Sequence, residues 1–336
     1  MTDRGKIDRS FFDEVIYPNL GADREDVALG PRHGVDFGVL DVGGQAVVAA
    51  TDPVSLLPGL GWERAAEFAL GVVLADVAVS GVPPSHLAVS FSLPPELRDD
   101  EFATVWGTMA DELDDLGTTV LTGHTARYAG CSFPWVGGAT VLGVGDHDDV
   151  IRPDGARPGD HLLVTHGPAV EATALFAALF PEAIDLPDDL LARQAERLPS
   201  TEHVRDALLA AASGPVTAMH DATECGLAGA LVELAGGAGV RIDVESAATP
   251  VTDEAAAICE YFDMEPWAAT TSGSLLVAVR PEGVDAVVEA LGSRGTPVAD
   301  AGRISAGEGV YVDGERIEHP AEDPAWRVWA ELSGPE

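Results

Sequence analysis

The run His220-Asp221-Ala222-Thr223-Glu224-Cys225-Gly226-Leu227 packs an imidazole, two carboxylates and a thiol into one short stretch. Apolar residues Val216 to Met219 lead into it as a strand, and Leu227, Leu231 and Leu234 follow at helical spacing. Asp221 to Glu224 therefore falls where a helix begins, and a helix start offers unpaired N–H groups and a positive dipole end. Such a terminus suits phosphate, and a carboxylate beside it can hold the magnesium ion that travels with a nucleotide. On that reading Thr223 and Gly226 bind the cofactor, Asp221 serves metal and chemistry, and His220 moves a proton. The plainer reading makes Asp221 and Glu224 a capping pair and lets His220 end a core strand.

Two further carboxylates stand out. Val35 to Asp41 and Gln45 to Thr51 read as strands about Gly43-Gly44, and Thr51-Asp52-Pro53 closes the second, at a sheet edge where ligands gather or where a turn simply starts. Trp62 to Ser80 reads as a helix, almost wholly apolar from Phe68 onward except for Asp76. A carboxylate there costs several kcal/mol unless it is hydrogen-bonded, paired or bound to metal. Later, strand Thr118 to Leu121 leads into a loop, Thr122-Gly123-His124-Thr125-Ala126-Arg127. Gly123 and Thr125 let backbone approach a ligand, His124 offers a metal ligand or proton donor, and Arg127 an anion clamp.

The elements that must position these groups come in two sets. The first half has strands to about Leu93, an amphipathic helix from Asp100 to Leu116 and a glycine-broken run from Tyr128 to Gly145. Arg-Pro-Asp-Gly-Ala-Arg-Pro-Gly-Asp at 152–160 reads as a linker. The second half restarts at strand His161 to Thr165 and alternates helices with strands to about residue 312. Both halves mix the two element types, so the fold class is α/β (α+β) in two domains. No short-period repeat is present.

Composition sets the outer limits. The 336 residues carry a net charge of −37 but are 46% hydrophobic, too apolar for an acidic disordered chain. Lys6 is the only lysine. This skin fits molar salt, as in a halophilic archaeon, where screening suppresses self-repulsion. No basic stripe exists for nucleic acid, and no Gly-Lys-Ser/Thr loop for phosphate. Cys131, Cys225 and Cys259 are too scattered for a disulfide framework and point to a reducing cytoplasm; no signal core or membrane span is legible.

Taken in order, Ala50-Thr51-Asp52-Pro53, Ala75-Asp76-Val77-Ala78-Val79-Ser80-Gly81, Thr122-Gly123-His124-Thr125, Arg157-Pro158-Gly159-Asp160 and the 220–227 run resemble one superfamily. It comprises aminoimidazole ribonucleotide (AIR) synthase, the hydrogenase maturation protein HypE, selenophosphate synthetase and thiamine monophosphate kinase. The likeness is nearest to HypE and to archaeal AIR-synthase-related proteins. It implies an amino-terminal mixed sheet with helices over residues 1–151, a linker at 152–160, a carboxyl-terminal α/β sandwich over 161–320 and a tail at 321–336. It also implies a homodimer through the amino-terminal sheets, with ATP and magnesium in a cleft between the halves. Asp52 and Asp76 would then be magnesium ligands, Asp221 would lie on the opposite wall and join them in managing metal and phosphate, the 122–125 segment would approach the phosphates, and Asp36, in Gly34-Val35-Asp36-Phe37-Gly38, would belong to a divergent phosphate loop.

The departures are as informative. His124 replaces an acid, Ala75 an asparagine and Cys225 a glycine of the relatives. No cysteine follows Cys259, so cyanide-ligand synthesis by the HypE route is not expected, and the first cysteine is Cys131, which disfavours the selenophosphate route. The expectation is an enzyme that activates an oxygen of a small molecule by phosphoryl transfer from ATP. The alternative is a silent nucleotide-binding maturation or interaction factor, and a metal-dependent hydrolase around His124 and His220 ranks third.

Overall fold

The computed structural model describes residues 9–334, so Lys6 and the extreme termini of the expected first domain and tail lie outside the described residues. After a helical turn, α1 (Arg9–Phe11), the chain lays down β1 (Val27–Leu29), β2 (Gly38–Val42), β3 (Gln45–Ser55), α2 (Trp62–Ala78), β4 (Pro84–Leu93), α3 (Asp99–Asp115), β5 (Thr119–Arg127) and β6 (Trp135–Gly145). The strands form one sheet in the order β1-β2-β3-β6-β4-β5, antiparallel except for the β4–β5 pair. Alternation along β3 buries Ala46, Val48, Ala50 and Val54, and α2 packs on the sheet. Phe102 and Trp106 of α3 stack edge-on against Phe91 of β4. The sheet keeps Leu40, Val42, Leu121, Trp135 and Val144 exposed, so it remains half covered.

The second half builds β7 (His161–Thr165), α4 (Val170–Leu179), α5 (Asp188–Ala195), α6 (Glu202–Ser213), β8 (Val216–Ala222), α7 (Gly226–Ala238), β9 (Arg241–Val244), α8 (Asp253–Tyr261), β10 (Ser274–Val279), α9 (Val284–Arg294), β11 (Val298–Ser305), β12 (Gly309–Val312), β13 (Glu315–Ile317) and α10 (Pro324–Ser333). Its sheet runs β13-β12-β9-β11-β7-β10-β8. Every residue of β10 is buried: Leu275, Val277 and Val279 enter the core shared with the first half, and Leu276 and Ala278 enter a second core under α7. A strand covered on both faces reads as an unbroken apolar run, which is what 275–279 shows.

The two halves share a core where α2 meets α6. One core cluster joins Leu70, Val73 and Leu74 of α2 to Val204, Ala207 and Ala210 of α6. The approach is close enough that a Cβ on Gly71 would sit 2.5 Å from the Ser200 carbonyl oxygen. His203 donates its Nε2–H across the seam to that glycine's own carbonyl, at 3.1 Å.

Four sequence expectations shift. The 122–127 segment is strand rather than loop, because parallel pairing with β4 continues to Leu93–Arg127. Asp52 lies inside β3, with Pro53 tolerated because β2 stops pairing at Ala49. Residues 35–37, expected as strand, are irregular and precede β2. Much of the expected tail is α10, whose Ala325 and Val328 complete a third core with Phe176, Leu191 and Ile258.

Candidate active site

The seam between the halves is where the carboxylates meet. Strand β8 carries His220 and Asp221 to its buried end, with exposures of only 2% and 3%. The segment before β2 crosses to the second half: Gly34 lies so tightly on α7 that a Cβ there would meet the Glu233 carbonyl oxygen at 2.7 Å, in a φ of +70°. That crossing sets Asp36 Oδ2 2.9 Å from His220 Nδ1, with Asp221 Oδ1 3.9 Å from the same nitrogen. On the other ring edge, Nε2 lies 3.1 Å from Glu233 Oε2. Asp36, His220 and Asp221 each offer a ligand atom, all within 4.8 Å of one another.

Two more carboxylates belong to this group. Asp52 shares the parity of Ala50 and Val54 on β3 and therefore faces the helix layer, where α2 carries Asp76. Burial pushes the Asp76 carboxyl well above the usual carboxylate range, and Asp221, Asp52 and Asp36 push it further. Asp36 is also raised, by burial above all, although His220 opposes the shift. Burial alone would discharge His220, but Asp36, Asp221 and Glu233 outweigh it and hold the imidazole charged well above its ordinary range. Four carboxylates drawn from the pre-β2 segment, β3, α2 and β8 thus share a site whose nearest cation is one imidazolium. A hard divalent cation with oxygen preference fits that donor set.

The other expected residues do not join this group within one chain. Thr51 has the opposite parity to Asp52; it is exposed and bonds Thr140, Oγ1 to Oγ1 at 2.9 Å. Gly123 shares the sheet row Asp52–Ala139–Val89–Gly123, three strand spacings from Asp52, which is about 14 Å. His124 and Thr125 are exposed on the same edge strand, and His124 Nε2 contacts the Tyr128 hydroxyl at 3.0 Å. Arg127 is engaged elsewhere, donating to the Leu97 carbonyl and, from Nη2, to Asp99 at 2.6 Å.

At the start of α7, where a phosphate cradle is expected, the chain's own groups take several of the N–H donors. The Cys225 N–H goes to Asp323 Oδ2 at 2.8 Å, the Gly226 N–H to the Thr223 carbonyl at 3.0 Å and the Ala228 N–H to the Trp267 carbonyl at 2.9 Å. A Cβ on Gly226 would lie 2.5 Å from the Ala269 oxygen, so the chain's own packing requires this glycine. The Thr223 carbonyl is likewise occupied, by the Gly226 and Thr271 N–H groups. Cys225 itself holds a left-handed φ of +64°, a conformation that favours glycine.

Sequence reasoning missed Glu233, His203 and Asp323. Glu233 was findable by the logic that found Asp76, since it is a lone acid among Leu227, Leu231 and Leu234. Asp323 was not, because it caps Cys225 across 98 positions and Ala325 on its own helix.

Residues 34–145 match the family described as AIR synthase related protein, N-terminal domain, and residues 157–315 match its C-terminal domain. The carbamoyl dehydratase HypE of Rhizobium leguminosarum bv. viciae is 26% identical over 290 residues, covering 84% of this chain and 80% of that protein. The selenide, water dikinase of Nitratidesulfovibrio vulgaris is 28% identical over 314 residues, covering 83% and 85%. Among solved structures, the hydrogenase maturation protein HypE in complex with ATP superposes with a TM-score of 0.68 at 19% identity, covering 96% of this chain and 97% of that one. With both family domains matched in order, on two sheets that meet at a shared carboxylate cluster, the chain belongs to the AIR synthase related family.

Proposed function

We propose that this chain binds ATP with magnesium at the seam between its halves and passes a phosphoryl group to an oxygen of a small-molecule acceptor. The observation that carries the reading is the convergence of Asp36, Asp52, Asp76 and Asp221 from four separate segments onto one site. Like charges gathered this way favour either a shared proton or a bound cation, and a cation would hold them ionised. The similarity to HypE, solved with ATP, and to a selenide, water dikinase supplies the nucleotide side of the reading.

Asp52, Asp76 and Asp221 would hold the ion, which supplies charge neutralisation for the transferring phosphoryl group. Phosphoryl transfer asks the protein chiefly for positioning and electrostatics. Here His220 contributes charge: with Nδ1 on Asp36 and Nε2 on Glu233 its ring has a fixed orientation, and its positive charge would offset part of the carboxylate charge beside the transferring phosphoryl group. Asp221, beside it, would accept the acceptor's proton. The half-covered first sheet, with Leu40, Val42, Trp135 and Val144 exposed, supports a homodimer through that sheet. Such pairing is the route by which Gly123, His124 and Thr125 could reach a nucleotide.

A second reading keeps binding and drops turnover. It is favoured by the α7 start, where the chain uses its own N–H groups, and by Cys225 in a glycine conformation. Calorimetric titration of ATP in molar KCl, with and without magnesium, tests what both share: magnesium-dependent binding is expected, and a folded protein that binds no nucleotide overturns both. ADP release in the presence of candidate acceptors separates them.

No helix among the described residues is long and apolar enough to cross a membrane.

A further inference from the structure

The Arg157-Pro158-Gly159-Asp160 motif takes no part in the carboxylate site, yet it borders a surface cavity of about 450 Å³ at the far end of β8. Arg152, Arg157 and Arg280 line that cavity, with Gly155 and Thr217. Asp160 builds the wall: its Oδ2 accepts the Arg157 N–H at 2.8 Å and the Thr217 hydroxyl at 2.6 Å. The close passage of Gly155 over β8, where a Cβ would lie 1.9 Å from the Thr217 oxygen, locks the two segments together.

The cavity gathers three guanidiniums on an acidic molecule. Asp154 is shared, taking Arg152 Nε at 2.8 Å and Arg32 Nη2 at 2.6 Å. Arg157 spends Nη1 on the Asp154 and Ala156 carbonyls, which carry no charge. Arg280 is exposed and has no carboxylate partner among the described residues. Of the three guanidiniums that line the cavity, those of Arg157 and Arg280 thus have no carboxylate partner among the described residues, on a chain of net −37. Elsewhere most arginines are spent on carboxylates, as Arg24, Arg98, Arg193, Arg205, Arg294 and Arg303 are.

We propose that this cavity is a second ligand site, for a phosphorylated small molecule, separate from the magnesium site. Arginine forks match phosphate oxygens in pairs, and a cavity of this size takes a small metabolite rather than a bare ion. Val216 and Asp221 are five residues apart on one strand, so the two sites are about 17 Å apart. A ligand here clasps the connection between the sheets, from Arg152 and Arg157, to the edge of the second sheet at Thr217 and Arg280.

The test is calorimetric titration with pyrophosphate, without magnesium, in molar potassium acetate. Saturable one-site binding is expected for the wild type and, unchanged, for Asp76→Asn, which disables only the magnesium site. Arg157→Gln and Arg280→Gln should each weaken it at least tenfold, and the double variant should abolish it. Either of two results overturns the proposal: no saturable binding by the folded wild type, or binding that survives in the double variant.

Discussion

The run at the end of β8 and the run along β5 look equally rich in the sequence, yet one assembles a site within the chain and the other does not. His220 and Asp221 end a strand covered on both sides, so the pre-β2 segment, α2 and α7 press further carboxylates against them. His124 lies on an edge strand that is exposed along almost its whole length and finds Tyr128 as its neighbour. Both strands are edges of their sheets, but a strand end buried on its faces forces its polar groups to find partners, whereas an exposed strand leaves them to solvent or to a second molecule.

The sharpest way to break this contrast is at the close contacts of the β8–α7 turn. Gly226→Ala drives a methyl group into the Ala269 and Trp267 carbonyls at a φ of +59°, and should cost about 3 kcal/mol or more in urea unfolding. A cost below 1 kcal/mol would mean that the turn yields easily. Glu171 probes the same neighbourhood. Its Oε2 accepts the Ser272 N–H at 2.9 Å, and burial, outweighing that bond, lifts its carboxyl to about 7. A folded pKa above the unfolded one means that the native state binds the extra proton. Stability should therefore fall as pH rises from about 4.5 to about 7, by up to about 3 kcal/mol, and level off above. Glu171→Gln should remove that component; identical pH slopes in the two proteins would contradict it.

How much of this was legible followed from the range of the interactions. Asp76 could be read because one acid interrupts an apolar helix, and that signal is local. Asp36 was reachable only through resemblance, since its contact with His220 spans 184 positions. The facing of Thr51 and Asp52 was decided by β3 running on to Ser55, beyond its expected end at Thr51. The partners of the α7 start were illegible for a different reason. Its donors are met by Asp323 and by the backbone at 223 and 267, and no spacing within 220–227 announces them.

Two smaller effects refine the comparison. Trp135→Glu on the half-covered sheet should leave monomer stability within about 0.5 kcal/mol. It should weaken self-association at least tenfold in sedimentation equilibrium, and an unchanged association constant would remove the sheet as the contact. Cys225→Gly relieves a left-handed φ but loses a buried side chain, so its unfolding free energy should stay within about 1 kcal/mol of wild type. A large loss would show that the thiol is a packing element in its own right.

The central claim is that the seam carboxylates hold the metal of a nucleotide complex. It is tested most directly by electron paramagnetic resonance titration of Mn²⁺ with ATP, comparing wild type, Asp76→Asn and Glu171→Gln in molar KCl. The account predicts a protein-bound, nucleotide-dependent Mn²⁺ signal in wild type and Glu171→Gln, and its loss in a folded Asp76→Asn. The same signal persisting in Asp76→Asn would contradict the account and move the metal away from the seam.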